Sequence, residues 1–253
     1  MKGDSMEQIS SARNPKVTSW KSLHDRKGRD SLNAFLVEGA KMVGEALDSG
    51  LDVQALLLRD GYEPPFPLPG CVPSYILSGN AFSSVSDTRT PQGIAAVLSR
   101  RVLPLSGNRF VALDNVQDPG NVGTIIRTAD AAGLDGVILG PGCADLFSPK
   151  VLRSTMGSIY RMRFSFSEDL PQALRGFRAQ GFSVLSSQLD GEPFYERKHV
   201  NPSFILIIGN EGNGISAPVQ AEATHRLRLP MRGGAESLNA AVAAGIMMYD
   251  LMK

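Results

Sequence analysis

The 253-residue sequence predicts an α/β protein with two domains, and three observations lead to this prediction. From residue 109 onward, short apolar runs alternate with segments of helical spacing, the pattern of an open, mostly parallel sheet covered on both faces. One run, residues 205–208, is apolar at every position, as expected for a fully buried strand. The stretch 100–108 contains proline, glycine and serine without clear periodicity. We therefore expect a linker there, between a small α/β domain at 1–99 and a larger one at 109–253.

The N-terminal domain has mixed strand and helix patterns. Asn14-Pro15 predicts a helix that begins with proline at its first position. Residues 62–73 are rich in proline and predict a loop. The remaining predicted elements are a short strand or turn at 35–39, strands at 53–58, 75–77 and 93–98, a helix from Glu38 to near Gly50, and a short helix at 80–85.

In the C-terminal domain, strand and helix patterns alternate along the chain. The predicted strands are 110–113, 136–139, 161–166, 182–186, 204–208 and 226–229, and the helices between them are 122–132, 149–157 and 168–180. The last predicted helix begins near Glu236 or Ser237 and is apolar on all sides. Such a helix is normally covered all round, so we expect it to pack on the sheet on one side and on a second subunit on the other.

Composition narrows the class of protein. The net charge is +1, from 26 basic and 25 acidic residues, and no apolar run is long enough to cross a bilayer. The first eleven residues lack the apolar core of a secretory signal, so we expect a cytoplasmic protein without membrane contact. Cys71, Cys143 and the three histidines do not have metal-ligand spacing, and we expect no metal site.

Basic residues are unevenly distributed in spite of the balanced charge. Residues 1–30 contain Arg13, Lys16, Arg26 and Lys27 among seven basic positions, and residues 150–163, which include Arg153, contain no acid. Both clusters are suited to phosphate contacts. A solvated charged face is the alternative interpretation.

The stretch 113–130 predicts the first candidate site, because it combines a strand end, a tight turn and a helix start. Asp118-Pro119-Gly120-Asn121 is a turn sequence, and Asn121 is suited to cap the next helix. Junctions of this kind often face a ligand in α/β proteins. The alternative is a crossover turn with a capping Asn121 and a surface pair between Arg127 and Asp130.

Two further glycine-rich loops follow predicted strands, at 209–214 and 229–239. Ligands of parallel sheets lie beyond the carboxyl ends of the strands, so the three loops are expected to meet at one edge. The glycine spacing of 209–214 is not that of a dinucleotide fingerprint, and neither a P-loop nor a G-x-S-x-G elbow occurs. By elimination, the loops predict an adenosine-bearing ligand held by backbone groups.

These loops match three ordered motifs of a known family. The matching segments are DNVQDPGNVG at 114–123 with Arg127, IGNEG at 208–212 with GIS at 214–216, and LPM at 229–231 with ESLN at 236–239. They resemble the motifs of the SpoU/TrmH branch of the SPOUT RNA methyltransferases. Residues 153–158 resemble the segment between the first two motifs. Residues 35–39 and 90–94 resemble the family's N-terminal substrate-binding domain, which is similar to ribosomal protein L30e.

The resemblance implies an S-adenosylmethionine-dependent RNA 2′-O-ribose methyltransferase acting on structured RNA, with 23S ribosomal RNA favoured. The alternatives are a transfer RNA 2′-O-methyltransferase or a non-catalytic RNA-binding protein that keeps the fold. It also implies a deep trefoil knot in the C-terminal SPOUT domain and a homodimer formed through the last helix.

The resemblance also assigns site residues. The catalytic candidates are Asn121, Arg127, Glu211, Ser237 and Asn239. The cofactor-binding candidates are Ile208, Gly209, Glu211, Leu229, Met231, Ser237 and Leu238. The RNA-binding candidates are Arg13, Lys16, Arg26, Lys27, Arg127 and Arg153. Because a guanidinium stays protonated, we expect Arg127 to stabilise a developing negative charge and not to act as a base. For Ser237 and Asn239, the alternative role is to cap the last helix.

Overall fold

A computed structural model describes residues 6–253, so the first five residues of the predicted domain 1–99 lie outside the described part of the chain. By its internal contacts the chain divides into two units. The N-terminal unit holds the residues up to Arg101 together with Phe147–Tyr160, and the C-terminal unit holds Val102–Leu146 and Arg161–Lys253. The division at 101/102 falls inside the predicted linker 100–108, but segment 147–160 belongs to the N-terminal unit although the prediction assigned it to the domain 109–253.

Segment 147–160 joins the N-terminal unit through specific contacts. The Phe147 ring lies 5.0 Å from that of Phe35, and the Tyr160 hydroxyl donates a hydrogen bond of 3.1 Å to the Met42 carbonyl. The apolar side of the helix Pro149–Thr155, with Val151 and Leu152, is buried. The apolar pattern of this helix is that of any crossover helix, and for this reason we predicted it as part of the C-terminal domain.

The N-terminal unit contains a five-stranded mixed sheet in the order β1-β4-β3-β5-β2. Its strands are β1 (Glu7–Ile9), β2 (Ala34–Glu38), β3 (Val53–Arg59), β4 (Ser74–Leu77) and β5 (Ile94–Ser99), and its helices are α1 (Pro15–Ser22), α2 (Arg26–Leu32), α3 (Ala40–Asp48), α4 (Gly79–Val85) and α6 (Pro149–Thr155). The predicted helix start is confirmed, because Pro15 is the first residue of α1 and the Asn14 side chain accepts from the Lys16 amide. Strand β1 was not predicted, since only one of its three residues, Ile9, is buried and apolar.

The C-terminal unit contains a six-stranded sheet in the order β11-β9-β10-β6-β7-β8, and all of its strand pairs are parallel, as predicted. Its strands are β6 (Arg109–Asp114), β7 (Gly136–Leu139), β8 (Arg163–Phe166), β9 (Ser183–Pro193), β10 (Phe204–Gly209) and β11 (His225–Arg228), and its helices are α5 (Pro119–Ala132), α7 (Leu170–Ala179), α8 (Ala217–Gln220) and α9 (Ala240–Leu251). Strand β10 is buried from Phe204 to Ile208, which confirms the prediction for residues 205–208. The trefoil knot stays a prediction.

Two predicted helix starts were wrong. The side chain of Asp118, not that of Asn121, caps α5 by accepting a hydrogen bond of 2.8 Å from the Asn121 amide. Helix α9 begins at Ala240 and not near Glu236 or Ser237, because the Asn239 side chain accepts from the amides of Ala241 and Val242 and ends the preceding loop.

Helix α9 leaves one apolar face open to solvent. It buries Ala241, Ala244, Met247 and Met248 within the C-terminal unit. On another face, Val242, Ile246 and Tyr249 are 51%, 38% and 54% exposed. The expected packing on one side is confirmed, and the expected second subunit on the other side stays a prediction. Within the described residues, no helix combines the length and the apolar character needed to cross a membrane.

Candidate active site

The three predicted loops meet at the carboxyl edge of the six-stranded sheet, where they are joined by side-chain hydrogen bonds. The Asn121 amide nitrogen donates to the Glu211 carboxylate at 2.9 Å. The side-chain nitrogen Nδ2 of Asn239 donates to the side-chain oxygen Oδ1 of Asn121, also at 2.9 Å. Asn121 therefore connects the loops after β6, β10 and β11. We call these three side chains the Asn121–Glu211–Asn239 network.

The Glu211 carboxylate also receives backbone donors from the loop before α5. The amides of Asp118 and Gln117 donate to it at 3.2 and 3.4 Å. Partial burial opposes ionisation of Glu211 and is the largest single influence on its pKa. The hydrogen bonds from Asn121 and from backbone amides together outweigh burial and lower the pKa below the ordinary glutamate value. Glu211 is thus positioned as an ionised acceptor that orients the first loop.

A second set of contacts, which the sequence did not predict, fixes the loop after β10. The buried carboxylate of Asp114 accepts from the Ser216 amide at 2.7 Å. The Asn210 side chain donates to the Asn115 carbonyl at 2.9 Å and accepts from the amides of Gly212 and Asn213. The bonds from Ser216 to Asp114 and from Asn210 to Asn115 span about a hundred residues of sequence, so a local pattern gives no sign of them.

Gly209 is required by the close approach of its own loop. A Cβ atom at this position would lie 2.3 Å from the backbone carbon of Gly214. Any larger residue would push apart the two ends of the loop 209–214. The backbone of this loop can therefore face a ligand only with glycine at position 209.

A cavity of about 720 Å³ lies at this edge, and we call it the carboxyl-edge cavity. It is lined chiefly by residues 187–190, 208–215, 228, 229, 231 and 236–240. All seven predicted cofactor-binding residues are among them: Ile208, Gly209, Glu211, Leu229, Met231, Ser237 and Leu238. The volume lies in the usual range of small-molecule sites, and apolar side chains alternate with loop backbone and carboxylate groups. The residues present therefore fit an adenosine-bearing cofactor.

One wall of the carboxyl-edge cavity was not predicted from the sequence. Strand β9 pairs Ser186 with Arg226 and then Glu192 with Leu227, so residues 187–191 bulge out of the ladder, and 187–190 line the cavity. Gly191 was the available sequence signal, because glycine inside a strand often marks a bulge or a close backbone approach. In the structure, a Cβ atom at Gly191 would lie 2.6 Å from the backbone of Arg226 and Leu227. The long strand replaces the shorter one predicted at 182–186.

Two predicted catalytic residues stand outside the hydrogen-bond network. Arg127 is exposed on α5 and makes no hydrogen bond or ion pair with any residue that the structure describes. The alternative pair with Asp130 is not formed, because the Asp130 carboxylate pairs with Arg161 at 2.8 Å. Ser237 is exposed, lies two residues before the N-cap of α9 and lines the carboxyl-edge cavity. Its predicted alternative role as a helix cap was wrong, whereas Asn239 does cap α9.

The remaining RNA-binding candidates belong to the N-terminal unit. Lys16 pairs with Glu7 at 2.6 Å, Arg26 with Asp30 at 3.8 Å and Arg153 with Asp87 at 2.7 Å. The side chains of Arg13 and Lys27 are exposed. Their contacts with RNA stay predictions. Across residues 6–253, no cluster of three or more histidine, cysteine or acidic side chains is arranged to hold a metal ion.

Comparison with known families and proteins agrees with this arrangement. Residues 108–249 match the SpoU rRNA Methylase family, and residues 14–96 match the MRM3-like substrate binding domain. The 23S rRNA (guanosine(2553)-2′-O)-methyltransferase RlmP of Bacillus subtilis is 45% identical over 247 residues, covering 97% of this chain and 99% of that protein.

Solved structures of the same family share the fold. An AdoMet-bound rRNA methyltransferase from Sinorhizobium meliloti superposes with a TM-score of 0.86 at 31% identity and covers 97% of each chain. A putative TrmH-family RNA methyltransferase from Porphyromonas gingivalis also has a TM-score of 0.86, at 38% identity, over 94% of this chain and 97% of that one. The chain belongs to the SpoU rRNA methylase family, and its predicted activity as an S-adenosylmethionine-dependent RNA ribose 2′-O-methyltransferase is confirmed.

Proposed function

We propose that this enzyme methylates a ribose 2′-hydroxyl of 23S ribosomal RNA. The observation that carries the proposal is the 45% identity to the Bacillus subtilis 23S rRNA methyltransferase, which extends over 97% of this chain. Residues 14–96 match a substrate-binding domain, which supports an RNA substrate that binds to the N-terminal domain in addition to the catalytic domain. A ribosomal RNA substrate also agrees with the expected cytoplasmic location.

In the proposed mechanism, the carboxyl-edge cavity holds the cofactor through Ile208, Leu229, Met231, Leu238 and the backbone of Gly209. The bound cofactor supplies an electrophilic methyl group on a sulfonium. Methylation forms the bond between the ribose O2′ and the methyl carbon, breaks the bond between sulfur and that carbon, and releases the O2′ proton to water or phosphate. The transfer requires the ribose oxygen to be held in line with the methyl group.

Arg127 has the chemistry to hold the acceptor ribose. Its guanidinium stays protonated, presents a planar fork of donors, and is not neutralised by another described residue. It can bind the RNA phosphate and stabilise the negative charge that develops on O2′ as its proton leaves. The Asn121–Glu211–Asn239 network positions the helix that carries Arg127 relative to the cofactor loops. Ser237, exposed on the wall of the cavity, is available as a hydrogen-bond donor or acceptor for the cofactor.

The open face of α9 supports a homodimer. Val242, Ile246 and Tyr249 form an exposed apolar stripe on a helix whose opposite face is buried. An Ile246→Glu substitution places a charge in that stripe and is expected to convert dimer to monomer in analytical ultracentrifugation. Phe166→Ser, which changes an exposed apolar residue at the end of β8, is the control and should leave the mass unchanged. A monomeric wild-type protein at micromolar concentration would contradict the dimer.

The substrate is tested by mapping ribose methylation at single-nucleotide resolution in RNA from cells with and without the gene. One 2′-O-methyl position is expected to disappear from 23S rRNA and to return when the wild-type gene, but not an Arg127→Ala variant, is supplied. Loss of a position in transfer RNA alone would contradict the proposed substrate. An unchanged methylation map, together with intact RNA binding, would favour the non-catalytic alternative.

A further inference from the structure

The C-terminal unit has a second cavity, of about 590 Å³, at the opposite edge of the six-stranded sheet. Arg109 and Phe204 line it, and they are the first residues of β6 and β10. Because all strands of the sheet are parallel, this amino edge lies a full strand length from the carboxyl-edge cavity. We call it the amino-edge cavity. None of the motifs found in the sequence accounts for it.

The lining of the amino-edge cavity is strongly basic. Arg109, Arg197, Lys198 and Lys253 line it together with His199, and Asp250 is the one acidic residue among the lining residues. The Asp250 carboxylate is already paired with Arg197 and Lys253, each at 2.8 Å. The cavity therefore carries a positive charge that its own carboxylate does not balance.

Two of the cations are available to a ligand. Arg197 is fixed, because its guanidinium lies 4.3 Å from the centre of the Phe194 ring and donates to the Phe194 carbonyl. By contrast, the side chains of Arg109 and Lys198 form no hydrogen bond or ion pair to any residue within 6–253. The nearby Asp135 carboxylate accepts from the backbone amides of Asn108 and Arg109 and so faces the main chain.

An exposed aromatic side chain lies beside these cations. Tyr195 lines the cavity with 58% of its surface exposed. Its ring packs edge-on against the buried Phe194 at 5.3 Å, which holds it in place. A positioned aromatic ring next to unpaired cations is the combination that binds single-stranded nucleic acid, because bases stack on the ring and phosphates pair with the cations.

We propose that the amino-edge cavity binds a single-stranded segment of the RNA substrate, with a base stacked on Tyr195 and the adjacent phosphates paired with Arg109 and Lys198. The cavity is too large for a lone phosphate, and unpaired cations beside an exposed aromatic ring favour a nucleic acid strand over a peptide. RNA is also the substrate class of the enzyme. This second contact is independent of which RNA carries the target nucleotide.

The test measures binding of a fluorescent oligouridylate about ten nucleotides long by anisotropy, between about 50 and 200 mM salt. Tyr195→Ala is expected to weaken binding about 5- to 100-fold through loss of base stacking. Arg109→Gln and Lys198→Gln are each expected to lower the slope of log affinity against log salt by about 0.7, the value for one phosphate contact on a single strand.

The matched control is Arg226→Gln, which removes an exposed arginine from β11 of the same unit, outside the cavity. It should leave both affinity and salt slope near those of the wild type. Calorimetric binding of S-adenosylmethionine should be unchanged in every variant, which verifies the fold and separates this proposal from the assignment of the catalytic edge. The proposal is overturned if the wild type does not bind the oligonucleotide, if the Tyr195 variant binds like the wild type, or if Arg226→Gln weakens binding as much as Arg109→Gln.

Discussion

The two edges of the six-stranded parallel sheet are built in opposite ways. At the carboxyl edge, polar side chains are bonded to one another across loops that are far apart in sequence, as in the Asn121–Glu211–Asn239 network. At the amino edge, Arg109 and Lys198 are cations without partners among the described residues. The hydrogen bonds at the carboxyl edge fix the positions of the loops, whereas the cations at the amino edge are available to bind an anionic ligand.

This difference corresponds to different chemical demands. Methyl transfer requires an acceptor oxygen aligned with a methyl group, and small displacements of the loops that align them reduce the rate strongly. Holding a flexible RNA strand requires attraction to phosphates and stacking of bases, which tolerate variation in geometry. Substitutions at the carboxyl edge should therefore change the rate of catalysis. Substitutions at the amino edge should change RNA affinity and its dependence on salt.

The largest effect is expected for Arg127, which is exposed on α5 and stands outside the network. Arg127→Lys keeps the positive charge but loses the planar fork that can bind a phosphate and a ribose oxygen together. We expect single-turnover methyl transfer to fall by about 100- to 1,000-fold, as when one donor to a developing oxyanion is removed. The melting temperature and the affinity for S-adenosylmethionine should stay unchanged, because the Arg127 side chain is exposed and forms no hydrogen bond or ion pair with another described residue.

Arg161→Lys is the matched control for this prediction. Arg161 pairs with Asp130, which lies on the same helix as Arg127. Loss of a surface ion pair lowers the free energy of unfolding by about 1 kcal/mol at most. Its methyl-transfer rate should remain near that of the wild type. Full turnover by Arg127→Lys would show that charge alone is sufficient and would remove Arg127 from the role of a geometric clamp.

The sequence predicted the parallel sheet well because its signal is local. A short apolar run such as 205–208, which is rich in isoleucine, is typical of a strand buried on both faces. The pattern of α6 was equally clear as a helix, but it contains no information about which unit the helix packs against. Contacts such as that of Phe147 with Phe35 decide this, and they depend on residues about a hundred positions away.

The candidate site shows the same limit. All seven residues that the motif resemblance assigned to the cofactor line the carboxyl-edge cavity, but composition and spacing alone reached only an adenosine-bearing ligand. Asn121 was interpreted from its turn as a helix cap, and that role belongs to Asp118. The partners that define Asn121 are Glu211 and Asn239, and no local rule connects them.

A smaller effect is expected at Asn239, which serves the fold and the network together. Its side-chain oxygen caps α9, and its amide nitrogen donates to Asn121. Serine also caps helices well but is too short to reproduce both contacts. Asn239→Ser should therefore keep the melting temperature near that of the wild type and lower the methyl-transfer rate about 2- to 10-fold, the value of one hydrogen bond.

Asn239→Ala is the comparison variant for this prediction. It removes the cap as well, and should cost about 0.5–2 kcal/mol of stability in denaturant unfolding. If serine and alanine lower stability and rate in parallel, Asn239 acts as a cap alone. If serine lowers the rate without a loss of stability, the contact with Asn121 is what matters.

The smallest effect is expected from protonation of Glu211. Hydrogen bonds from Asn121 and from two backbone amides outweigh the opposing effect of partial burial and lower its pKa, so the ionised network stabilises the fold above the ordinary glutamate value of 4.5. That contribution is lost as the pH falls through the lowered pKa. At pH 7 the wild type should melt about 1–2 °C above Glu211→Gln, and the difference should shrink as the pH falls below 4.5 and vanish below the lowered pKa. Glu236→Gln, which changes another carboxylate lining the same cavity, is the control and should show no such pH-dependent difference. A gap between wild type and Glu211→Gln that stays constant down to acid pH would mean that the carboxylate charge does not hold the loops, and that the two edges of the sheet differ less than their hydrogen bonds indicate.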